Sequence, residues 1–213
     1  MIRVLSILIS LWVFVWPQVA KAQEKPVSAN APVILVVGDS LSAEYGIRRG
    51  AGWVQWLAEN KKEDLGDAQL VNASISGDTT AGGRSRLPAL LKKHQPAIMI
   101  LELGANDALR GLPVASTEDN LRAMINAAKG IRARVLVLGM QIPPNYGPDY
   151  TRQFSAVYNK LSTEQKVPLV PFFLERLVER PELFQSDRLH PTADAQPLLL
   201  DTVWPRLQPL LVK

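Results

Sequence analysis

From Val33 onward, short apolar runs alternate with longer amphipathic stretches. The runs of Val, Ile and Leu predict five strands, over 33–37, 68–72, 97–103, 135–138 and 169–170. The intervening stretches carry apolar residues at helical spacing and predict helices over 52–61, 80–94, 117–129, 150–164 and about 192–211. Strands without polar alternation are typical of a parallel sheet that helices cover on both faces. The pattern therefore predicts an α/β, three-layer, doubly wound domain.

The first 22 residues have a different pattern from the rest of the chain. Arg3 precedes an apolar run over 4–16, and Pro17 and the small residues Ala20 and Ala22 follow it. This order is typical of a cleavable secretory signal, and the run is well short of the ~20 residues that span a bilayer. We expect residues 1–22 to be removed, 23–32 to form a flexible lead-in, and 33–213 to fold as one domain. The mature protein is then periplasmic or secreted, without stable membrane insertion.

Composition excludes several classes of function. The chain of 213 residues contains no Cys, which removes disulfides, thiolate nucleophiles and Cys-based metal sites. The signal holds two of the 24 basic residues and none of the 20 acidic ones, so the mature charge is close to balanced. Without a basic face, the sequence gives no indication of nucleic-acid binding. No exposed apolar stripe or heptad is visible, and we expect a monomer.

Candidate chemistry falls in the segments that follow the predicted strands. Ser40 follows the first strand, Gly77 the second and Asn106 the third, while Asp187 and His190 precede the last helix. Ligands of doubly wound sheets bind beyond the carboxyl ends of the strands, so these residues are predicted to share one edge. A serine, an amide and an Asp-His pair at one edge are the parts of an acyl-transfer site.

Each part has a chemical task. A serine hydroxyl needs a base, and the chain has only two histidines. His94 lies in a charged helix end and is interpreted as a surface residue, which leaves His190 as the base. Asp187 would fix the imidazole tautomer. The donors predicted for the oxyanion are the backbone N–H groups of Ser40 and Gly77 and the side-chain amide of Asn106.

Taken singly, each of these segments has an ordinary explanation. Gly-Asp-Ser is common in turns, and Asp-x-x-His-Pro fits a helix cap ahead of a proline. We interpret Asp39, Asp78 and Asp107 as capping and loop-stabilising residues rather than catalysts. The functional interpretation depends on the combination of all the segments at one edge.

Five segments carry a family resemblance: "GDSLSAEYG", "NASISGDTTAGG", "LELGANDALRG", "QIPPNYGPDY" and "DRLHPTADAQP". They are similar to the SGNH (GDSL) hydrolase family, and within it to periplasmic bacterial acyl-CoA thioesterases, arylesterases and lysophospholipases. The similarity extends over about 33–210. It implies a flavodoxin-like fold with five parallel strands. It also implies a triad of Ser40, Asp187 and His190, with Ser40, Gly77 and Asn106 as the oxyanion hole.

The resemblance further implies that loops 108–113 and 143–150 border an acyl-chain groove, with substrate contacts from Leu109, Leu112, Pro113, Pro144 and Tyr146. Two positions depart from the family pattern. Ala105 stands where relatives usually have Gly, and Arg188-Leu189 stands where they usually have Gly-Ile. Arg188 would put a positive charge at the entrance of the site.

The expected function is secreted hydrolysis of fatty-acyl esters and thioesters, small-molecule substrates that include lysophospholipids, without a metal or organic cofactor. A carbohydrate O-acetyl esterase with the same site is the alternative enzyme. A binding module that lost the reaction is the alternative from another class, although it would not need nucleophile, base and oxyanion amide together. G-x-S-x-G, S-x-x-K, H-E-x-x-H and P-loop patterns are absent from the sequence, which argues against the corresponding enzyme classes.

Overall fold

The structure is a computed structural model, and it describes residues 31–211. The predicted signal segment and most of the predicted lead-in lie outside the described residues. Five parallel strands form one sheet in the order β2-β1-β3-β4-β5. Their bounds are β1 Val33–Gly38, β2 Gln69–Asn72, β3 Ile98–Glu102, β4 Arg134–Leu138 and β5 Leu169–Val170. The predicted α/β class with a five-stranded parallel sheet is confirmed.

Seven α-helices connect and cover the described strands, and short 3₁₀ turns punctuate the second half of the chain. The helices are α1 Trp53–Asn60, α2 Lys62–Leu65, α3 Thr80–His94, α4 Ala105–Leu109, α5 Val114–Gly130, α6 Pro148–Gln165 and α7 Gln196–Leu207. Pro197 occupies the first turn of α7, where a missing N–H breaks no helical hydrogen bond, so the α-helix begins at Gln196 rather than at 192 as predicted. The helices α2 and α4 were not predicted because four or five residues show no helical period.

The core lies on both sides of the central strands. The β3 strand is buried throughout, and so are residues 34–38 of β1 and 135–138 of β4. On one face α3, α5 and α6 pack side by side, and on the other α1 packs against α7. The β2 strand is only partly buried, since it lies at the edge of the sheet and has a neighbour on one side alone.

Because all five strands run in one direction, their carboxyl ends meet at one edge of the sheet. The register pairs Gly38 of β1 with Glu102 of β3, so the segments after both strands leave the sheet side by side. Helix α3 starts near this edge and runs back to the opposite one, where Lys92 and Lys93 are exposed in its last turn. Within residues 31–211, none of the helices has the length and hydrophobicity of a membrane span.

Candidate active site

Ser40 lies in the first helical turn after β1. The N–H of Ala43 donates to the carbonyl of Asp39 (2.9 Å), and the N–H of Leu41 donates to the Asp39 carboxylate (3.1 Å). The turn passes close over β3: a Cβ atom on Gly38 would lie 2.6 Å from Oε2 of Glu102. A larger residue at this position would displace the buried Glu102 carboxylate, and the turn that follows Gly38 carries Ser40 at the carboxyl edge of the sheet.

The structure brings Ser40, His190 and Asp187 together. Nε2 of His190 lies 2.8 Å from Oγ of Ser40, and Nδ1 lies 2.7 Å from Oδ2 of Asp187. An ionised carboxylate only accepts hydrogen bonds, so Nδ1 donates to Asp187 and Nε2 of the neutral ring accepts from the serine hydroxyl. This is the donor–acceptor order in which an imidazole takes a proton from a serine.

Backbone groups hold the carboxylate in place. Oδ1 of Asp187 accepts the N–H groups of Leu189 (2.9 Å) and His190 (3.0 Å). The N–H of His190, then that of Leu189 and then the imidazole lower the pKa of Asp187 from 3.8 to about 2. The carboxylate stays ionised at any pH near neutrality, as an orienting group must.

The histidine loop, residues 183–192, is closed on itself. Phe184 and Pro191 form an antiparallel bridge, and the N–H of Gln185 donates to the carbonyl of His190 (2.8 Å). The side-chain amide of Gln185 donates to the carbonyls of Pro191 (3.0 Å) and Tyr45 (2.8 Å). The Tyr45 ring lies against the imidazole, with ring centroids 4.3 Å apart. The loop is thereby fastened to the segment that carries Ser40.

The predicted oxyanion donors lie in different surroundings. Nδ2 of Asn106, in α4, donates to the Asp39 carboxylate (3.1 Å), which fixes the amide and leaves its second N–H available. Burial raises the pKa of Asp39 from 3.8 to about 6, against the lowering effect of the Leu41 N–H. Gly77 lies in an exposed turn at φ +78, and its carbonyl accepts a hydrogen bond from Arg110 (2.8 Å). It does not line the cavity that holds Ser40 and Asn106.

Two further aspartates tie the surrounding loops together. Oδ2 of Asp107 accepts the N–H of Thr80 (2.8 Å), and Oδ1 accepts the Thr80 hydroxyl, so α4 is fastened to the start of α3. Asp78 pairs with Arg86 (2.7 Å), whose guanidinium also donates to the carbonyl of Ala73. These contacts hold the segments after β2 and β3 against each other.

Glu102 is a buried residue of this region that the sequence analysis missed. Its Oε2 accepts the N–H of Asp39 (3.2 Å) and the hydroxyl of Ser42 (2.8 Å), and Ser42 in turn accepts the indole N–H of Trp53 (3.0 Å). Burial, followed by the neighbouring Asp39 carboxylate, raises the pKa of Glu102 well above its ordinary value. The sequence feature that could have identified Glu102 is its position as the one charged residue at the end of the apolar run "IMILE".

A cavity of about 490 Å³ opens beside Ser40 and His190. Of the predicted substrate residues, Leu109 lines it, whereas Leu112, Pro113 and Tyr146 lie outside its lining. Pro144 begins the 3₁₀ turn Pro144–Tyr146. The other apolar walls come from the segments after β4 and β5, namely Met140, Ile142, Pro143, Phe172, Leu174, Val178, Phe184 and Leu189. Pro143 belongs to the loop 143–150 that was expected to border the groove, whereas the walls from Met140, Ile142, Phe172, Leu174, Val178 and Phe184 were missed because no recognisable motif marks them.

A parallel α/β sheet with a Ser-His-Asp arrangement at its carboxyl edge defines a class of protein, the hydrolases that transfer acyl groups. Comparison with known proteins gives the family. Residues 36–197 match the GDSL-like Lipase/Acylhydrolase family, and the chain therefore belongs to that family of enzymes.

Named relatives cover most of the chain. Esterase TesA of Pseudomonas aeruginosa is 49% identical over 183 residues, which are 86% of this chain and 91% of that protein. Thioesterase 1/protease 1/lysophospholipase L1 of Escherichia coli K12 is 44% identical over 184 residues, 86% of this chain and 87% of that one. A crystal structure of TesA superposes with a TM-score of 0.81 at 49% identity and covers 84% of this chain and 99% of its own.

Proposed function

We propose that the protein is a secreted serine hydrolase that cleaves ester and thioester bonds of fatty-acyl substrates. The observation that carries the proposal is the pair of contacts at His190, 2.8 Å to Ser40 and 2.7 Å to Asp187. Supporting it, the P. aeruginosa relative is named an esterase and the E. coli relative a thioesterase and lysophospholipase.

The proposed reaction has two halves. Oγ of Ser40 attacks the acyl carbon while its proton passes to Nε2 of His190, and the carbonyl oxygen becomes an anion. The free N–H of Asn106 and the N–H of Ser40 would stabilise this anion, and the N–H of Gly77, which lies outside the cavity lining, is the third donor that the family resemblance implies. His190 then protonates the leaving oxygen or sulfur, and an acyl-enzyme remains on Ser40. Water, deprotonated by His190, releases the acid in the second half.

The cavity supports a fatty-acyl chain rather than an acetyl group. Its walls are mostly apolar, and an acetyl group would leave most of its volume of about 490 Å³ unfilled. Each buried methylene contributes ~0.8 kcal/mol, so activity is expected to rise in a graded way with chain length. A steep preference for acetyl esters would instead favour the carbohydrate O-acetyl esterase.

Export is proposed from the sequence of residues 1–22, which would leave a mature periplasmic or secreted enzyme that begins near Gln23. The intact mass of the protein recovered from the periplasm or medium tests this, since an uncleaved chain would retain the mass of the leader. We propose that the mature enzyme works as a monomer.

The decisive experiment compares the mature protein with its Ser40→Ala variant on p-nitrophenyl esters from acetyl to palmitoyl and on octanoyl-CoA. The variant is expected to lose turnover and labelling by a fluorophosphonate probe while it keeps its unfolding temperature. Ser85→Ala, which changes an exposed serine of α3 outside the cavity, is the control and should keep the wild-type activity. Activity of Ser40→Ala near that of the wild type would reject the mechanism.

A further inference from the structure

Arg188 has an unusual backbone conformation. Its φ of +56° is left-handed, a region that glycine enters freely but that costs other L-residues ~1 kcal/mol. The turn is fixed by the N–H of Arg188, which donates to the carbonyl of Gln185 (2.9 Å). The chain thus carries a long cationic side chain where the backbone favours glycine. Backbone strain is often found at functional sites, so the left-handed conformation of Arg188 beside His190 suggests a function for the arginine side chain.

Arg188 lies at the boundary of two hollows. It lines the active-site cavity, and it also lines a cleft of about 760 Å³ whose other walls include Gln185 and Ser186. Val178 and Phe184 line both hollows as well. The cleft therefore adjoins the active-site cavity at these three residues.

The charge of Arg188 is not compensated within the described part of the protein. No carboxylate there lies within 4.0 Å of its guanidinium, and the neighbouring Asp187 directs both oxygens to His190 and Leu189. Among the described residues that line the active-site cavity, Arg188 is the only arginine or lysine. A planar guanidinium with free N–H groups matches the oxygens of a phosphate.

The geometry of the proposed reaction places the positive charge of Arg188 near the leaving group of the substrate rather than near its acyl chain. The acyl chain is expected to occupy the mostly apolar cavity. The leaving atom must face Nε2 of His190, from which it takes its proton, and Arg188 lies in the same histidine loop. We infer that Arg188 and the adjoining cleft bind a phosphate carried by the leaving group, so that phosphate-bearing acyl esters and thioesters are preferred to neutral ones. This inference rests on the proposed function.

Two substrate pairs compare leaving groups with and without phosphate, and the glycerol pair differs in the phosphate alone. One pair is 1-decanoylglycerol and 1-decanoylglycerol 3-phosphate, and the other is S-decanoyl-N-acetylcysteamine and decanoyl-CoA, all assayed as monomers. Arg188→Gln is expected to lower kcat/KM about three- to tenfold for the phosphate-bearing members, chiefly through KM, and less than twofold for the neutral ones. Arg180→Gln, which changes an exposed arginine outside both hollows, should leave all four rates unchanged.

Arg188→Gly separates binding from folding, because glycine relieves the left-handed strain. It should unfold at the same or a higher temperature and lose the same phosphate preference. A loss in the glycerol pair alone would assign the subsite to lipid headgroups, and a loss in the thioester pair alone to CoA. If hydrolysis proceeds but the ratios within both pairs are unchanged in Arg188→Gln, the subsite is refuted. If the wild type hydrolyses none of the four, the proposed function itself fails.

Discussion

Asp187 shows how a half-exposed carboxylate can be held in one orientation. One oxygen accepts two backbone N–H groups and the other accepts the imidazole, so rotation of the carboxylate would break three hydrogen bonds at once. An amide in its place keeps the shape but offers an NH₂ group either to the imidazole or to the two N–H donors. The residue thus determines which ring nitrogen of His190 faces Ser40.

Asp187→Asn is therefore expected to lower kcat about 10³- to 10⁴-fold, with a much smaller change in KM. Steady-state kinetics on p-nitrophenyl octanoate measure the split between the two constants. Asp194→Asn, an exposed aspartate just beyond the histidine loop, is the control and should behave as the wild type. A kcat within tenfold of the wild-type value in Asp187→Asn would contradict the orienting role.

At the residue scale, sequence reasoning works where chemistry restricts the choice. With two histidines in the chain, His190 could be selected by elimination, and its contact with Ser40 was predictable from the strand-end rule. The carboxylate of Glu102 is visible in the sequence, but its contacts were not predictable, because a strand pattern does not show that this side chain lies beneath the Ser40 turn.

Among the elements, the short helix α4 depends on its neighbours. A helix of five residues is not stable on its own. Hydrogen bonds from Thr80, the first residue of α3, to the carboxylate of Asp107 stabilise α4. Asn120 of α5 also donates to the Thr80 hydroxyl (3.1 Å). Because α4 carries Asn106, these contacts also position the amide that is proposed as an oxyanion donor.

Asp107→Ala is expected to lower the free energy of unfolding by about 2–4 kcal/mol, since the Thr80 N–H and hydroxyl lose a buried acceptor. It should also lower kcat, because α4 is loosened. Urea denaturation and kinetics measure both effects, and Asp119→Ala at an exposed position of α5 is the matched control. Equal unfolding free energies for the two variants would show that the α3–α4 connection contributes nothing.

Element prediction succeeded where a pattern extends over several turns. The span of α3 was predicted as observed, and β5 was predicted from only two residues because it lies between clear helices. Helix α5 begins at Val114, earlier than predicted, and α4 lies between two predicted elements. In both places the helix is stabilised by tertiary contacts that a local pattern does not contain.

For the whole molecule, the buried pair Asp39 and Glu102 makes stability depend on pH. Both pKa values are raised, Asp39 from 3.8 to about 6, so the folded state binds protons more tightly than the unfolded chain. Their contribution to stability is complete below the unfolded pKa values and is lost as the pH rises through the folded ones. Asp187 acts oppositely, because its lowered pKa removes stability only as the pH falls from 3.8 towards about 2.

Glu102→Gln keeps an acceptor for Ser42 and removes the titrating group. We expect the wild type to lose stability relative to this variant by about 1 kcal/mol or more between pH 4.5 and pH 8. Urea denaturation at the two pH values gives the difference, with Glu63→Gln at an exposed position of α2 as control. If the two pH dependences are parallel, the pair does not titrate in this range.

The contact between Ser40 and His190 shows which features of the site follow from the sheet topology alone. A doubly wound order places all strand ends at one edge, and this was enough to predict a shared site. The walls of the cavity were beyond that rule, since Phe172, Val178 and Phe184 lie in irregular segments whose course depends on packing against the completed fold.

Because the strands are parallel, the edge of the sheet opposite the active site is available for attaching the protein to a support. The exposed amines of Lys92 and Lys93, in the last turn of α3, lie at the end of the molecule remote from Ser40. If the other exposed lysines, such as Lys62, Lys129 and Lys166, are first replaced by arginine, coupling to a solid support through this pair would orient the molecules with the cavity towards the bulk solution. Reactor beads or sensor films prepared in this way would retain open access for bulky substrates.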